Sequence, residues 1–229
     1  MTILGLLEFY RMAFPDRKGE RILAAGAGGA FYCAMVFDLL PFNIVCTLTV
    51  LFFGLLSLLK IRDIRNSAAD TALFLLGILY LPLLTGNLAA LRGLEQGIQW
   101  VFLLLLIVMS GDTAAFYVGT ALGKRKLYPV VSPNKSVEGM LGGLAGSVAG
   151  AFIARATFFP GLSPADCFAA ALLAGLLGQL GDLFESLLKR SFGVKDSGAI
   201  FPGHGGVLDR LDSLLFAGPV LYLYARYLF

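Results

Sequence analysis

The chain has 229 residues, of which 58% are hydrophobic and only 14% charged. Soluble domains carry about 25% charged residues, so the composition excludes an ordinary water-soluble fold and predicts a membrane protein. The formal net charge of +3 says little by itself, because in a membrane protein the placement of Lys and Arg matters more than their sum.

The amino-terminal segment, Met1 to Phe9, is apolar but too short to cross a bilayer. No basic residue precedes it, so it lacks the charged start of a signal peptide. We interpret it as the cytoplasmic half of a helix whose beginning is absent from this chain.

Seven further apolar segments lie between polar connections and are predicted to be full membrane spans. The segment before Pro82 is short, so it either crosses with little tilt or extends into the following loop. The fold class that follows is all-α, a polytopic transmembrane helical bundle of about seven full spans plus the N-terminal half-helix. The predicted spans cover residues 22–38, 42–59, 69–84, 98–121, 137–158, 166–188 and 207–227.

Basic residues are concentrated in every second connection between these spans. This alternation is typical of loops that face the cytoplasm and anionic lipid headgroups, and it independently supports the span count. Arg210 lies just beyond the last of these connections. The basic positions are Arg11, Arg17, Lys18 and Arg21, then Lys60, Arg62 and Arg65, then Lys124, Arg125, Lys126 and Lys135, and finally Lys189, Arg190 and Lys195.

Glycines recur on one face of each of two predicted helices. Small residues at such spacing let helices approach closely, so the pattern favours tight packing over a direct role in chemistry. The two sets are Gly142, Gly146 and Gly150, four apart, and Gly175, Gly178 and Gly181, three apart.

Burial of an acidic residue inside a membrane span costs free energy, so each such residue is expected to have a structural or functional role. Asp112 lies near the middle of its span, Asp182 and Glu185 lie about two turns above the cytoplasmic end of theirs, and Asp209 and Asp212 open the last span. Any one of them could make a buried hydrogen bond or salt bridge between helices. Several together favour a functional site.

Helical spacing divides the acidic residues further. Asp182, Ser186 and Lys189 recur at i, i+4 and i+7, so they share a face that descends toward the cytoplasmic surface. Glu185 and Lys189 are predicted to form an i to i+4 ion pair, which we prefer to a catalytic Glu185. Asp182 has no such partner. Carboxylates from this helix and the next could hold Mg²⁺, which takes a few protein oxygens plus substrate phosphates.

Two polar segments enter helices from the cytoplasmic side. The first is Ser132–Gly139, in which Ser136 is a predicted N-cap and Lys135 adds a cation, so free backbone N–H groups and a lysine would face a phosphate. The second is Phe201–Gly206, whose glycines permit close backbone approach to a ligand. His204, the only histidine, is predicted to contact phosphate beside Gly205, Gly206 and Asp209.

At these positions the sequence resembles the phosphatidate cytidylyltransferase family, also called CDP-diacylglycerol synthases. The Ser110–Asp112 and Ser132–Gly139 segments also look like that family, so the likeness is detailed in the second half and limited to hydrophobic spans in the first. Family members usually carry further hydrophobic helices before the point where this chain begins. The pattern that carries the resemblance is Ser186, Lys189-Arg190, Lys195-Asp196, Gly198, Phe201-Pro202, His204-Gly205-Gly206, Asp209-Arg210 and Asp212.

The resemblance implies transfer of CMP from CTP to phosphatidate in the cytoplasmic leaflet, with release of pyrophosphate and use of Mg²⁺. It implies that Asp182 and Asp209 hold the metal and that the basic and glycine-rich loops hold the triphosphate. The catalytic candidates are Asp182, Ser186, Lys189, Arg190, Asp209 and Asp212. The substrate-binding candidates are Asp112, Asn134, Lys135, Ser136, Glu138, Lys195, Asp196, His204, Gly205, Gly206 and Arg210.

The expected setting is the bacterial cytoplasmic (inner) membrane, with the active site facing the cytoplasm. Residues 1–229 are predicted to form one integral membrane domain, in which 1–96 are mainly scaffold and 97–229 are the catalytic half. Membrane lipids are expected neighbours, no nucleic-acid partner is expected, and a homodimer is left open.

Two other functions remain as alternatives. A CTP-dependent polyprenol or phytol kinase would have a similar lysine and Glu-Gly segment, but it is not expected to carry the pattern from Lys195 to Asp212. A cation or proton transporter would use Asp112, Asp182 and Asp209 along a path, but it gives no reason for the basic, glycine-rich loops. Alcohol phosphotransferases are disfavoured because their aspartate-rich helix motif is absent from the sequence.

Overall fold

The computed structural model describes residues 1–60, 63–200, 203 and 205–229. The chain forms two compact units. The first contains Met1–Gly86 and Asp196–Asp209, and the second contains Asn87–Lys195 and Arg210–Phe229.

The described residues are mostly helical, with one small sheet. In chain order the elements are α1 (Thr2–Ala13), α2 (Lys18–Val36), α3 (Phe42–Leu59), α4 (Ser67–Tyr80), α5 (Pro82–Gly93), α6 (Gly97–Leu122), β1 (Lys126–Tyr128), β2 (Ser132–Ser136), α7 (Val137–Thr157), α8 (Pro164–Ser191) and α9 (Leu208–Tyr227).

Five helices within the described residues are long and apolar enough to cross a membrane. The prediction of an integral membrane protein is therefore confirmed. The helix that approaches Pro82 continues past it, because Pro82 begins α5 at a position where no backbone N–H is required. The five spans are Phe42–Leu59, Ser67–Gly93, Gly97–Leu122, Val137–Thr157 and Pro164–Ser191.

The predicted count of about seven spans is not confirmed. The other two predicted spans do form helices, α2 and α9, but these are not among the five. The sequence shows why: α2 begins with Lys18, Glu20 and Arg21 and contains four glycines, and α9 begins with Asp209, Arg210 and Asp212.

The first unit has an aromatic core to which the amino-terminal segment contributes. The ring of Phe74 stacks on Phe14 at 4.4 Å and on Phe53 at 5.4 Å between centroids. The phenol of Tyr10 donates a hydrogen bond to the Phe74 carbonyl at 2.7 Å, and Phe9 is fully buried. The segment interpreted as half of a membrane-spanning helix forms α1, a helix of 12 residues that packs into this core.

In the second unit, both glycine faces pack against neighbouring helices, as predicted. A Cβ atom added at Gly146 of α7 would come within 2.5 Å of the Ala114 side chain on α6. A Cβ atom at Gly175 of α8 would lie 2.6 Å from the Ser147 hydroxyl on α7. Only glycine leaves room for backbones this close, so these faces fix how α6, α7 and α8 converge.

A capping box anchors the start of α8. The Ser163 hydroxyl accepts from the Asp166 N–H at 3.1 Å, and the Asp166 carboxylate accepts from the Ser163 N–H at 2.8 Å. The Tyr224 phenol of α9 also donates to Asp166, at 2.6 Å. Reciprocal capping of this kind satisfies N–H groups that the first helical turn leaves unpaired.

The small sheet between α6 and α7 was not predicted, so the all-α expectation needs a correction. Strands β1 and β2 pair antiparallel, and the Val131 N–H donates to the Tyr128 carbonyl at 3.2 Å. Pro129 occupies the second position of that turn, where its fixed φ is favourable. Strands of three and five residues are too short for hydrophobic alternation to reveal them.

Candidate active site

A cavity of about 580 Å³ opens in the second unit, at the end where β2 enters α7. Its size lies within the range of small-molecule sites, about 300–1,000 Å³. Both apolar and polar side chains line its wall. The lining includes Asp112, Phe116 and Thr120 from α6, Asn134, Lys135 and Ser136 from β2, Gly139 and Met140 from α7, and Gln179 and Asp182 from α8.

Lys135 and Asp182 form an ion pair in this wall, with 2.7 Å between the ammonium nitrogen and Oδ2. Their side chains are 28% and 31% exposed, so the pair faces open space. Asp182 was predicted to have no ion-pair partner on its own helix. Its partner comes instead from β2, a strand far earlier in the sequence.

Asp112 brings a second carboxylate to the same cavity. The charges of Asp112, Asp182 and Asp212 are close enough to repel one another, and Lys135 attracts Asp112. A cation bound beside Asp112 and Asp182 would reduce the repulsion between these two carboxylates.

A magnesium ion beside Asp112 and Asp182 would need its other ligands from a substrate and from water. In the described part of the chain, no group of three or more His, Cys, Asp or Glu side chains could hold a metal ion. Mg²⁺ is commonly held by one or two carboxylates plus phosphate oxygens and water, and Asp112 and Asp182 provide two carboxylates beside Lys135.

The hairpin that carries Lys135 is fixed by side chains at its base. The Ser136 hydroxyl accepts from the Gly139 N–H at 3.1 Å, so the predicted N-cap is confirmed. The Glu138 carboxylate accepts from the backbone N–H groups of Lys124 at 3.1 Å and of Arg125 at 3.2 Å. Glu138, predicted to bind substrate, therefore holds the connection from α6 into the hairpin.

Further along α8, Glu185 and Lys189 form the predicted ion pair. Glu185 is fully buried, so the lysine charge compensates a carboxylate that would be costly alone. The Arg190 guanidinium donates to the Val194 carbonyl at 3.2 Å. Ser186 lies on the same helix and is half-buried. The catalytic roles assigned to Ser186, Lys189 and Arg190 remain predictions.

Asp209 belongs to the first unit, where backbone groups surround its carboxylate. Its Oδ2 accepts from the Ser197 N–H at 3.0 Å, from the Ser197 hydroxyl at 2.8 Å and from the Gly206 N–H at 2.7 Å. Gly205 has φ +77°, and a Cβ atom there would lie 2.5 Å from Oδ2. The glycine therefore allows the carboxylate to approach the backbone.

The next two N–H groups in this segment are also engaged. Those of Val207 and Leu208 donate to the Glu8 carboxylate at 3.0 and 2.9 Å. A phosphate contact is predicted at the start of α9. The backbone N–H groups there donate instead to carboxylates of the chain itself. The phosphate contacts of Gly205 and Gly206 remain predictions, and His204 lies outside the described residues.

The remaining candidates are divided between the units. Asp196 belongs with Asp209 to the first unit, whereas Lys195 and Arg210 belong to the second. Asp182 also lies in the second unit, so the metal site that the resemblance assigns jointly to Asp182 and Asp209 remains a prediction.

Several residues were missed by the sequence analysis. Phe116 and Thr120 lie four and eight residues after Asp112, and this helical spacing is a signal that could have found them. Gln179 precedes Asp182 by almost one turn, and its amide donates to the Met140 carbonyl at 3.2 Å. Glu8 carries no such signal, because its partners lie about 190 residues further along the chain.

The chain is similar to proteins of known family. A model of the cytidylyltransferase family matches residues 1–228. The phosphatidate cytidylyltransferase of Bacillus subtilis (strain 168) is 43% identical over 148 residues, which cover 64% of this chain and 55% of the relative. Those of Staphylococcus saprophyticus and Staphylococcus aureus (strain COL) are each 39% identical over 175 residues, covering 76% of this chain and 66% of each relative.

The aligned region thus spans less than two thirds of the length of these relatives. The family match itself extends over almost the whole chain. The chain therefore belongs to the cytidylyltransferase family.

Proposed function

We propose that the protein transfers CMP from CTP to phosphatidate, giving CDP-diacylglycerol and pyrophosphate. The observation that carries the proposal is the cavity in which Lys135 and Asp182 pair beside Asp112. The names of the relatives supply the substrate class, since each of the three is a phosphatidate cytidylyltransferase.

The reaction joins two anions that repel each other. A phosphate oxygen of phosphatidate attacks the α-phosphorus of CTP, and the bond from that phosphorus to the bridging oxygen of pyrophosphate breaks. Catalysis of such a step consists mainly of alignment and of neutralising charge on the transferring and leaving groups. Lys135 supplies a cation and Asn134 an amide donor at the cavity wall.

Mg²⁺ is part of the proposal, with Asp182 as a ligand and Asp112 as the neighbouring carboxylate. When bound, the ion would neutralise phosphate charge and hold the leaving pyrophosphate. The sequence pattern assigns Asp209 to the metal as well, and that assignment rests on the pattern alone. Lys135 would then exchange its contact with Asp182 for a contact with phosphate.

The proposed location is the cytoplasmic side of a bacterial inner membrane. CTP is dissolved in the cytosol and phosphatidate is held in the bilayer, so the two can meet only at that boundary. The apolar lining residues Phe116, Leu127 and Met140, beside the charged ones, suit a site that receives a lipid headgroup and a nucleotide. Basic residues in alternate connections support the same orientation.

The test uses the purified chain in lipid nanodiscs with phosphatidate, Mg²⁺ and CTP labelled at either the α- or the γ-phosphate. We expect α-label in the lipid, γ-label in pyrophosphate, and loss of both products when Mg²⁺ is chelated. A lipid kinase would place γ-label in the lipid. A stable preparation that yields no labelled CDP-diacylglycerol would contradict the proposal.

A further inference from the structure

Glu8 on α1 is a buried carboxylate, only 5% exposed, far from every motif in the sequence. It accepts hydrogen bonds from the Val207 N–H at 3.0 Å, the Leu208 N–H at 2.9 Å and the Ser197 hydroxyl at 3.2 Å. Burial of a carboxylate is costly unless its oxygens are satisfied by such donors. All of these residues belong to the first unit.

Two glycines of the motif make room for this carboxylate. A Cβ atom at Gly198 would lie 2.5 Å from Oε1 of Glu8. A Cβ atom at Gly206 would lie 2.5 Å from each carboxylate oxygen of Glu8. Any larger residue would push Glu8 away, so the glycines of this segment fit the contact with Glu8.

Ser197 joins Glu8 to Asp209. Its hydroxyl oxygen lies 3.2 Å from Oε2 of Glu8 and 2.8 Å from Oδ2 of Asp209, and its backbone N–H donates to that same Oδ2. A hydroxyl has one proton and so donates to one carboxylate at a time. One residue therefore contacts both acidic groups.

We propose that Glu8 is a positioning residue for Asp209. It holds Val207 and Leu208 through their backbone N–H groups, and through Ser197 it fixes the side-chain orientation of Asp209. The proposal rests on the proposed function in one respect, since Asp209 matters to the reaction as a metal ligand. The hydrogen bonds themselves can be tested without turnover.

The first experiment compares the amide hydrogen-exchange rates of the Glu8→Gln variant with those of the unsubstituted chain. Glutamine keeps the size of the side chain but turns one acceptor into a donor that faces N–H groups. We expect the amides of Val207 and Leu208 to exchange about tenfold faster, with the rest of the unit unchanged. Glu20→Gln is the matched control, because Glu20 is also buried in this unit, beside Arg17, and should leave residues 196–209 unaffected.

The second measurement is the Mg²⁺ concentration that gives half-maximal formation of CDP-diacylglycerol. Partners of a metal ligand typically change metal affinity by 10–100-fold, so Glu8→Gln should raise this concentration by about tenfold or more. Ser197→Ala should also raise the Mg²⁺ concentration for half-maximal activity. The Val207 and Leu208 amides should still exchange slowly in this variant, because Glu8 remains bonded to them. Glu20→Gln should leave the Mg²⁺ concentration for half-maximal activity unchanged.

Unchanged exchange at Val207 and Leu208 in Glu8→Gln would overturn the proposed contact. Faster exchange with an unchanged Mg²⁺ requirement would show that Glu8 is merely structural, and would overturn the positioning role. If Glu8→Gln does not fold, Ser197→Ala decides, and an unchanged Mg²⁺ requirement there counts against the proposal. A wild-type chain without activity would contradict the proposed function, and the exchange experiment would still test Glu8.

Discussion

The cavity in the second unit and the segment Asp196–Asp209 in the first both contain carboxylates, hydroxyls and glycines, but their carboxylates have different partners. In the cavity, Lys135 and Asp182 are each about a third exposed and face open space. In the first unit, Ser197 of this segment and Glu8 of α1 are buried, and they contact each other and the backbone. A glycine-rich turn before a helix can therefore bind a carboxylate of its own chain in the way that it binds a phosphate.

The largest expected effect is that of a substitution in the exposed cavity of the second unit. Asp182→Asn keeps the shape of the cavity wall but removes a charge, and we expect CDP-diacylglycerol formation to fall by roughly 100-fold or more. The measurement is incorporation of α-labelled CTP into lipid at saturating Mg²⁺. Asp166→Asn, at the other end of α8, is the control and should retain activity within about twofold. Near-normal activity of Asp182→Asn would remove Asp182 from the site.

Lys135→Gln should have the next largest effect. Loss of a charge-assisted contact with phosphate costs about 1.5–3 kcal/mol, so kcat/KM for CTP should fall by roughly 10–100-fold. Lys126→Gln removes the same charge from an exposed position on β1 of the same hairpin, and should change kcat/KM little. Equal losses in both variants would indicate a general effect of charge, and would argue against a specific contact by Lys135.

Much of this arrangement could be predicted from the sequence, because it depends on local patterns. Apolar length located the helices, glycine spacing located the close packing, and Ser136 was recognisable as an N-cap. The partner of Asp182 and the role of Glu8 could not be predicted. Both depend on which distant segments fold together, and neither leaves a periodic signal along the chain.

A substitution in the packing between α6 and α7 can lower the stability of the protein without changing the polar side chains of the cavity. A methyl group at Gly146 would crowd α6, since its carbon would lie 2.5 Å from Ala114. Overpacking of this kind costs about 1–3 kcal/mol, so Gly146→Ala should lower the melting temperature by roughly 2–12 °C in a thermal-shift assay. Gly54→Ala on α3 is the control, because a Cβ atom there meets nothing within 4 Å. A melting temperature unchanged by Gly146→Ala would show that α6 and α7 adjust freely.

Glu138→Gln should have the smallest effect. The Glu138 carboxylate makes solvent-exposed hydrogen bonds, accepting from the N–H groups of Lys124 and Arg125. Glutamine keeps one acceptor oxygen, so we expect activity to fall by only about threefold and those two amides to exchange a few-fold faster. A loss as large as that of Lys135→Gln would instead assign Glu138 a direct contact with substrate.

The most direct test of the central claim is an experimental structure with CTP and Mg²⁺ bound in a lipid environment. We predict phosphate oxygens within hydrogen-bond distance of the Lys135 ammonium, and Mg²⁺ coordinated by Asp182. The triphosphate bound away from this cavity, with the Lys135–Asp182 ion pair intact, would contradict the account.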